Sequence, residues 1–203
     1  MPNGIFLTHA HIGHYTGLMY LGKEAHNSRK IPVYCLPRMK KFLENNGAWN
    51  QLSAVNNIQV FDIEKTPFNR ENISISAIKV PHRDEFSETA AFIIGDENKR
   101  AIFIPDIDKW SKWNVKVDSM VNEVDYAFLD ATFYDGKELP ERDMSEIPHP
   151  FVVETELEIM DAMLRKKVIL IHFNHSNPLI FNPETKSEIE SKGFKVAALG
   201  QIY

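Results

Sequence analysis

Short β-rich runs recur along the chain, and four of them lead directly into a histidine or an aspartate. His9 follows the run from Ile5 to Thr8, and His82, Asp106 and His172 each follow a later run. Layered folds gather their site residues at the ends of strands, on one rim of the sheet. We therefore expect a layered domain that brings these four side chains to one rim.

Helical segments lie between these runs. Strands are predicted at Ile5 to Thr8, Ile31 to Leu36, Ile58 to Ile63, Ile73 to Val80, Thr89 to Ile94, Ala101 to Ile104, Tyr126 to Leu129, Val168 to Ile171 and Phe194 to Leu199. Helices are predicted at Pro37 to Asn46 with Gly47 beyond its end, Trp113 to Val124, Val152 to Leu164 and Pro183 to Lys192. This alternation indicates a mixed α/β domain.

Composition limits the classes of function. A chain of 203 residues, 43% of them hydrophobic, is long enough to form one globular domain over residues 1–203. A net charge of −5 argues against nucleic acid or an anionic membrane as the partner. The single cysteine, Cys35, excludes an internal disulfide and lies in an apolar run, so we expect it to be buried and inert. No signal peptide or membrane-spanning run is recognised, and a cytoplasmic location is expected.

Three histidines occur within six residues, in the segment His9-Ala10-His11-Ile12-Gly13-His14. In an extended segment His9 and His11 project to the same side, and His14 approaches from the following turn or helix. Converging imidazoles form a natural site for a divalent metal. An exposed polar loop explains any one of these histidines but is a poor explanation for all three.

These residues, taken in order, resemble the metal-ligand series of the metallo-β-lactamase-fold hydrolases. That family has the motif H-x-H-x-D-H, then a histidine, a bridging aspartate and a last histidine. Within the superfamily, the segments Leu7 to Leu21 and Ile171 to Leu179, together with Ile104 to Ile107, are similar to the pyrroloquinoline quinone biosynthesis protein B branch. The resemblance implies an αββα sandwich.

The resemblance also implies roles for the individual residues. The first metal would be bound by His9, His11 and His82, and the second by His14 and His172, with Asp106 bridging the two. Zinc is the expected metal, as one or two ions, with manganese or iron as alternatives. Asp106 and His14 would be the catalytic residues, since a metal-bound water is ionised near neutral pH and Asp106 would orient it.

Gly13 departs from the family pattern, which commonly has an aspartate at this place. Glycine offers no ligand atom, so the second site would keep three protein ligands. His175, three residues after His172, is a candidate to compensate, although an exposed or outer position is the alternative.

Two more residues are candidates for a substrate pocket or for contact with a ligand imidazole. His149 lies in a proline-bounded loop, and an ordinary surface position is the alternative. Asp130 ends a predicted strand, and helix capping or turn formation is the alternative.

Three functions follow from these observations. The first is a metal-dependent hydrolase acting on an ester, lactone, amide or phosphodiester of a small molecule. The second, suggested by the branch resemblance, is a non-hydrolytic metal-binding oxygenase or an accessory protein of redox-cofactor biosynthesis. The third, suggested by Gly13, is a catalytically silent binding module. A nuclease resembling ribonuclease Z is disfavoured because the chain is acidic and has no basic run.

The motif occurs early in the chain. His9 follows the first predicted strand, whereas in the family the motif follows several strands of an N-terminal sheet. The resemblance therefore implies a domain that lacks its N-terminal strands, either a fragment or a shortened variant. An uncovered sheet edge invites pairing with another chain, so formation of a homo-oligomer is expected.

Overall fold

The computed structural model describes all 203 residues and divides into two compact units, Met1–Phe92 and Ile93–Tyr203. The strands are β1 (Ile5–Phe6), β2 (Ile31–Cys35), β3 (Ile58–Asp62), β4 (Phe68–Arg70), β5 (Ile73–Val80), β6 (Thr89–Gly95), β7 (Arg100–Ile104), β8 (Tyr126–Asp130), β9 (Val168–Ile171) and β10 (Lys195–Val196). A strand is found at each of the nine predicted places, but β1 and β10 are shorter than predicted, with two residues each, and β4 was not predicted. The prediction of one domain over residues 1–203 stays a prediction.

The helices are shorter and more numerous than predicted. They are α1 (Ile12–Tyr15), α2 (Pro37–Asn45), α3 (Gly47–Ala54), α4 (Val117–Asn122), α5 (Val152–Glu158), α6 (Ala162–Arg165), α7 (Pro178–Phe181) and α8 (Pro183–Ser191). Three short 3-10 helices cover Thr16–Leu21, Trp110–Lys112 and Met144–Glu146. None of these helices has the length and apolar character that crossing a bilayer requires.

The predicted helices Pro37 to Asn46, with Gly47 beyond its end, and Pro183 to Lys192 are confirmed as α2 and α8, and α3 starts at Gly47 without an intervening loop. Two other helix predictions were wrong in their extent. The predicted helix Val152 to Leu164 is broken after α5, because the Asp161 carboxylate accepts the backbone N–H of Met163 and caps a new helix there. The predicted helix Trp113 to Val124 is reduced to the six residues of α4.

The first unit is built on three parallel strands in the order β1-β2-β3. Val33 and Cys35 of β2 are fully buried and pack with Met39 and Leu43 of α2 in one hydrophobic core. Pro37 occupies the first turn of α2, where its fixed φ favours a helix start. This core supports the end of β1, from which the first histidine motif continues.

The second unit contains the parallel strands β7, β8, β9 and β10, each paired with the next. Val168, Ile169 and Leu170 of β9 are all fully buried, which is typical of parallel strands covered on both faces. Because the strands are parallel, their carboxyl ends meet at one edge. Asp106 lies two residues after β7, Asp130 ends β8, and His172 follows β9 at that edge.

These observations show an α/β fold with two sheets. The αββα layering and the absence of N-terminal strands, both implied by the resemblance, stay predictions.

Candidate metal centre

A histidine cluster, consisting of His9, His11, His14 and His82, lies in the first unit. The ring centroid of His9 is 4.3 Å from that of His11, 4.4 Å from that of His14 and 5.3 Å from that of His82. The centroids of His11 and His82 are 5.0 Å apart. The three imidazoles of the segment from His9 to His14 are therefore brought together with that of His82.

The backbone around His9 is fixed on two sides. The Leu7 N–H donates to the Tyr34 carbonyl at 2.9 Å, which continues the pairing of β1 with β2. The Ala10 N–H donates to the buried Ser87 hydroxyl at 2.8 Å, and the Ala90 N–H donates to the carbonyl of Thr8 at 2.9 Å. The segment that carries His9 and His11 is thus tied to the segment that follows His82.

The nitrogens of His9 and His11 face one another. Nε2 of His9 lies 2.7 Å from Nδ1 of His11. The other nitrogen of each ring meets an oxygen: Nδ1 of His9 is 3.0 Å from the Thr8 hydroxyl, and Nε2 of His11 is 3.2 Å from a Glu85 carboxylate oxygen. A ring held in this way at one nitrogen presents the other as a ligand, and imidazole nitrogens suit zinc.

Glu85 is half exposed, yet its carboxyl is held in the ionised form. Its own backbone N–H and the His11 imidazole lower the pKa of the Glu85 carboxyl below the usual value. Glu85 lies three residues after the candidate ligand His82, but nothing in the sequence identifies it as the partner of His11.

A carboxylate–histidine cluster, consisting of Asp106, Asp130, His149 and His172, lies in the second unit. One ligand atom from each residue lies within 4.8 Å of those of the other three. Asp130 is fully buried and Asp106 is 3% exposed. The four side chains come from four separate segments, so only the tertiary fold brings them together.

Asp130 accepts four hydrogen bonds. One carboxylate oxygen accepts the Thr132 hydroxyl at 2.6 Å and the Thr132 backbone N–H at 2.9 Å. The other accepts Nδ1–H of His149 at 2.8 Å and the Ile107 backbone N–H at 3.1 Å. Burial alone would raise the pKa of the Asp130 carboxyl, but the hydrogen bond from His149 and the electrostatic attraction of the nearby His149 and His172 rings outweigh it and lower the pKa.

His172 has an unusual backbone. Its φ is +62°, in the left-handed region that few residues other than glycine adopt, although histidine is among the better tolerated. Nδ1 of His172 is 2.8 Å from the Thr132 hydroxyl, and Nε2 is 3.9 Å from an Asp106 oxygen. Burial lowers the pKa of the His172 imidazole, but Asp130 and Asp106 raise it more, so its pKa is above the usual value.

Most of the residues predicted from sequence thus fall into one of the two clusters. His149, predicted as a candidate for a substrate pocket, lies 3.2 Å from an Asp106 oxygen, and Asp130, predicted as a candidate for contact with a ligand imidazole, lies 3.8 Å from His172. His175 is exposed and belongs to neither cluster. The assignment of ligands to two ions, the bridging role of Asp106 and the catalytic role of His14 stay predictions.

Thr132 was missed entirely. It is buried and contacts Asp130, His149 and His172 through one hydroxyl. The Asp-x-Thr spacing, in which a carboxylate meets a hydroxyl two residues on, was the only signal in the sequence.

The surroundings of residue 13 leave room for a side chain, so steric crowding does not explain the glycine there. No atom lies within 4 Å of the position that a Cβ would occupy, and its backbone is helical. An aspartate at this position would fit without displacing a neighbour.

A cleft of about 660 Å³ also lies in the second unit, with Trp110, Met144, Phe151, Glu154 and Leu157 among its lining residues. None of the residues of the carboxylate–histidine cluster lines it. The cleft is therefore not the candidate metal site. The two clusters are, because imidazole and carboxylate ligands suit zinc, manganese and iron.

Comparison with known proteins relates the chain to one family. Residues 2–173 match the family model described as the beta-lactamase superfamily domain. Among solved structures, Zn(2+)-bound PqqB from Methylobacterium extorquens has a TM-score of 0.75 and 16% identity, over 98% of this chain and 72% of that one. No curated protein matches the chain.

Two further structures are similar in fold and differ in chemistry. A diphosphatase from the PhnP family has a TM-score of 0.65 and 16% identity, over 98% of this chain and 69% of its own. CmlA, a diiron β-hydroxylase from Streptomyces venezuelae, has a TM-score of 0.58 and 15% identity, over 98% of this chain and 44% of its own. At identities this low, the structural similarity shows a common fold and no more.

Proposed function

Because the chain belongs to the metallo-β-lactamase superfamily, we propose that it is a metal-dependent hydrolase. It would act on an ester, lactone, amide or phosphodiester bond of a small molecule. The resemblance found in the sequence to this superfamily is confirmed by the family match, and the fold is similar to that of a PqqB.

The carboxylate–histidine cluster is the observation that carries this proposal. Two carboxylates, Asp106 and Asp130, are nearly or fully removed from water within 4.8 Å of two imidazoles. Buried carboxylates are costly unless cations or hydrogen-bond donors compensate them. Such a donor set is well suited to a divalent cation.

The residues of both clusters have separate tasks in this proposal. A bound zinc ion would supply a water molecule that ionises near neutral pH. His9, His11 and His82 would bind one ion. Asp106 and His172 would supply ligand atoms to another. Asp130 accepts a hydrogen bond from Nδ1–H of His149, so that Nε2 of His149 carries the lone pair and would serve as a general base toward a bound substrate.

Zinc, as one or two ions, is the proposed metal, and the zinc-bound PqqB structure supports it. The second candidate function is a metal-binding oxygenase or an accessory protein of redox-cofactor biosynthesis. It is favoured because imidazole and carboxylate ligands, such as those of His172 and Asp106, suit iron as well as zinc. A small-molecule substrate, a cytoplasmic location and a homo-oligomer stay predictions.

Metal analysis tests the proposal first. Metal-free protein is reconstituted separately with zinc, manganese and iron(II), and the metal content is measured by mass spectrometry after gel filtration. We expect about one or two equivalents per chain, given the affinities of structured metal sites. Less than about one equivalent of every metal would overturn both metal-dependent functions.

Hydrolysis of a panel of esters, lactones and phosphodiesters tests the reaction. We expect His11→Ala to abolish activity, and His175→Ala, which removes an exposed histidine outside both clusters, to retain it. Unchanged activity in His11→Ala would rule out the histidine cluster as part of the active site. Oxygen consumption by the iron-loaded protein without any hydrolysis would favour the oxygenase instead.

A further inference from the structure

We propose that Thr132 is a positioning residue, whose hydroxyl links His172 to the buried Asp130 and fixes the imidazole tautomer that presents Nε2 to a metal ion. The inference rests on the proposed function for its metal, but its geometry lies within the second unit. It assigns a task to a residue that neither the sequence motif nor the family match singles out.

The register of the parallel strands places Thr132 beside His172. Asp130 is paired with Ile171, and the Ala131 N–H donates to the Ile171 carbonyl at 2.9 Å. The chain beyond the strands stays paired, because the Asn174 N–H donates to the Thr132 carbonyl at 2.9 Å. The Thr132 hydroxyl is therefore held against the His172 ring by backbone on both sides.

The positions of the protons follow from the donors that are available. A carboxylate can only accept hydrogen bonds, so the contact of 2.6 Å between Thr132 and Asp130 uses the one hydroxyl proton of Thr132. The Thr132 oxygen can then only accept from Nδ1 of His172, at 2.8 Å. Nδ1 therefore carries the ring proton, and Nε2 carries the lone pair that a metal requires.

Asp130 does not perform this task directly. Its nearest oxygen is 3.8 Å from Nδ1 of His172, which is too far for a hydrogen bond. The same carboxylate does reach Nδ1 of His149, at 2.8 Å. The buried Asp130 carboxylate thus orients two imidazoles. It contacts His149 directly, and it acts on His172 through the Thr132 hydroxyl.

A purely structural role for Thr132 makes a different prediction. Its hydroxyl and backbone N–H both contact Asp130, which is a local turn interaction that stabilises the loop after β8. If this were its only task, removing the hydroxyl would lower stability but leave the His172 tautomer unchanged.

The test compares Thr132→Val, which has nearly the same shape without the hydroxyl, with Thr132→Ser, which keeps it. Long-range ¹⁵N–¹H NMR of the imidazoles in metal-free protein, at an alkaline pH where the His172 ring is neutral, reports the tautomer of His172. We expect Nδ1–H in the wild type and in Thr132→Ser, and loss of that single tautomer in Thr132→Val. Zinc affinity, measured by competition with a chelator, should fall roughly 10- to 100-fold in Thr132→Val and be restored in Thr132→Ser.

The outcomes separate this proposal from the hydrolase proposal. A Thr132→Val protein with the wild-type tautomer and wild-type zinc affinity would overturn the positioning role. If Thr132→Val does not fold, an Nε2–H tautomer of His172 in the wild type overturns it instead. A wild type that binds no metal, but whose tautomer depends on the hydroxyl, would remove the hydrolase proposal and leave the hydrogen-bond assignment in place.

Discussion

The histidine cluster and the carboxylate–histidine cluster differ in where their members come from and in what orients them. Three of the four residues of the histidine cluster lie within six consecutive positions, whereas those of the carboxylate–histidine cluster come from four separate segments. The acceptor for His11 is Glu85, which is half exposed, and the acceptor for His149 is Asp130, which is fully buried.

This difference indicates two ways of building a ligand set. The charge of an acceptor exposed to water is screened, and water competes for its hydrogen bonds. Such an acceptor therefore contributes little to orienting the imidazole that it contacts. A buried acceptor is stronger, and its loss leaves other buried groups without partners. Backbone spacing therefore determines most of the first cluster, and hydrogen bonding to one carboxylate determines most of the second.

The largest effect is expected from Asp130→Ala. The substitution leaves the buried N–H groups of Ile107 and Thr132 and the ring of His149 without their acceptor. We expect a loss of about 3–5 kcal/mol in the free energy of unfolding, measured by urea denaturation. Asp130→Asn, which keeps an acceptor oxygen, should lose less.

The control for this experiment is Asp143→Ala, because the Asp143 carboxylate is exposed and accepts only from Ser145. Because it loses only an exposed capping contact, its urea midpoint should fall much less than that of Asp130→Ala. If Asp130→Ala unfolds at the same urea concentration as the wild type, the buried carboxylate is not what organises the second cluster.

The second prediction concerns Gly13→Asp, which adds a possible metal ligand to the histidine cluster. Open space at Gly13 predicts that the variant folds normally. We expect a higher zinc content per chain by mass spectrometry. Gly17→Asp is the matched control, since Gly17 has equally open surroundings in the neighbouring 3-10 helix; equal zinc content in both variants and the wild type would contradict the assignment.

The third prediction uses Cys35, in the core beneath the first cluster. Burial raises the pKa of the Cys35 thiol to about 12, from 9.0. A raised pKa means that the folded protein binds the proton more tightly, so the stabilisation is full below pH 9 and is lost as the pH rises toward 12. Between these values the free energy of unfolding should fall by at most about 1.4 kcal/mol per pH unit from this group.

Urea denaturation of the wild type and of Cys35→Ala, at several pH values from about 8 to 11 on either side of the ordinary pKa of a thiol, isolates this contribution. The difference in unfolding free energy between the two proteins should shrink as the pH rises. A constant difference would show that the thiol titrates as it does in the unfolded chain.

The smallest effect is expected from Glu85→Gln. Because Glu85 is half exposed, its loss should change the free energy of unfolding by less than about 1 kcal/mol and zinc affinity by less than about tenfold. Glu64→Gln, which removes a similarly exposed carboxylate paired with Lys79, controls for the change in net charge. A greater loss of zinc affinity in Glu85→Gln than in Thr132→Val would reverse the comparison between the clusters.

The strands and the histidine cluster were predictable because both depend on local sequence. Apolar runs in the sequence indicated nine of the ten strands that the structure contains. The spacing of His9, His11 and His14 indicated that their rings converge. The helices were less predictable, since a single capping contact at Asp161 divides what periodicity indicated as one helix. The spacing of apolar residues is the same whether the helix is interrupted by a capping residue or continues without a break.

The carboxylate–histidine cluster was only partly predictable. Asp106 and His172 were identified by their positions after strands, but the contact of His149 with Asp130 depends on how the loop between β8 and α5 returns. Thr132 acts through a hydroxyl oriented by its neighbours, and no spacing rule reveals which imidazole it meets. Contacts of this kind are properties of the tertiary fold.

The left-handed backbone of His172 has an evolutionary consequence. Asparagine adopts this conformation at least as readily as histidine, and a single base change converts a histidine codon into an asparagine codon. A gene duplicate of this chain can therefore lose the imidazole at residue 172 without a backbone penalty. Descendants that keep the fold and abandon the chemistry are then one mutation away, and residue 172 is where a comparison of paralogues would find them.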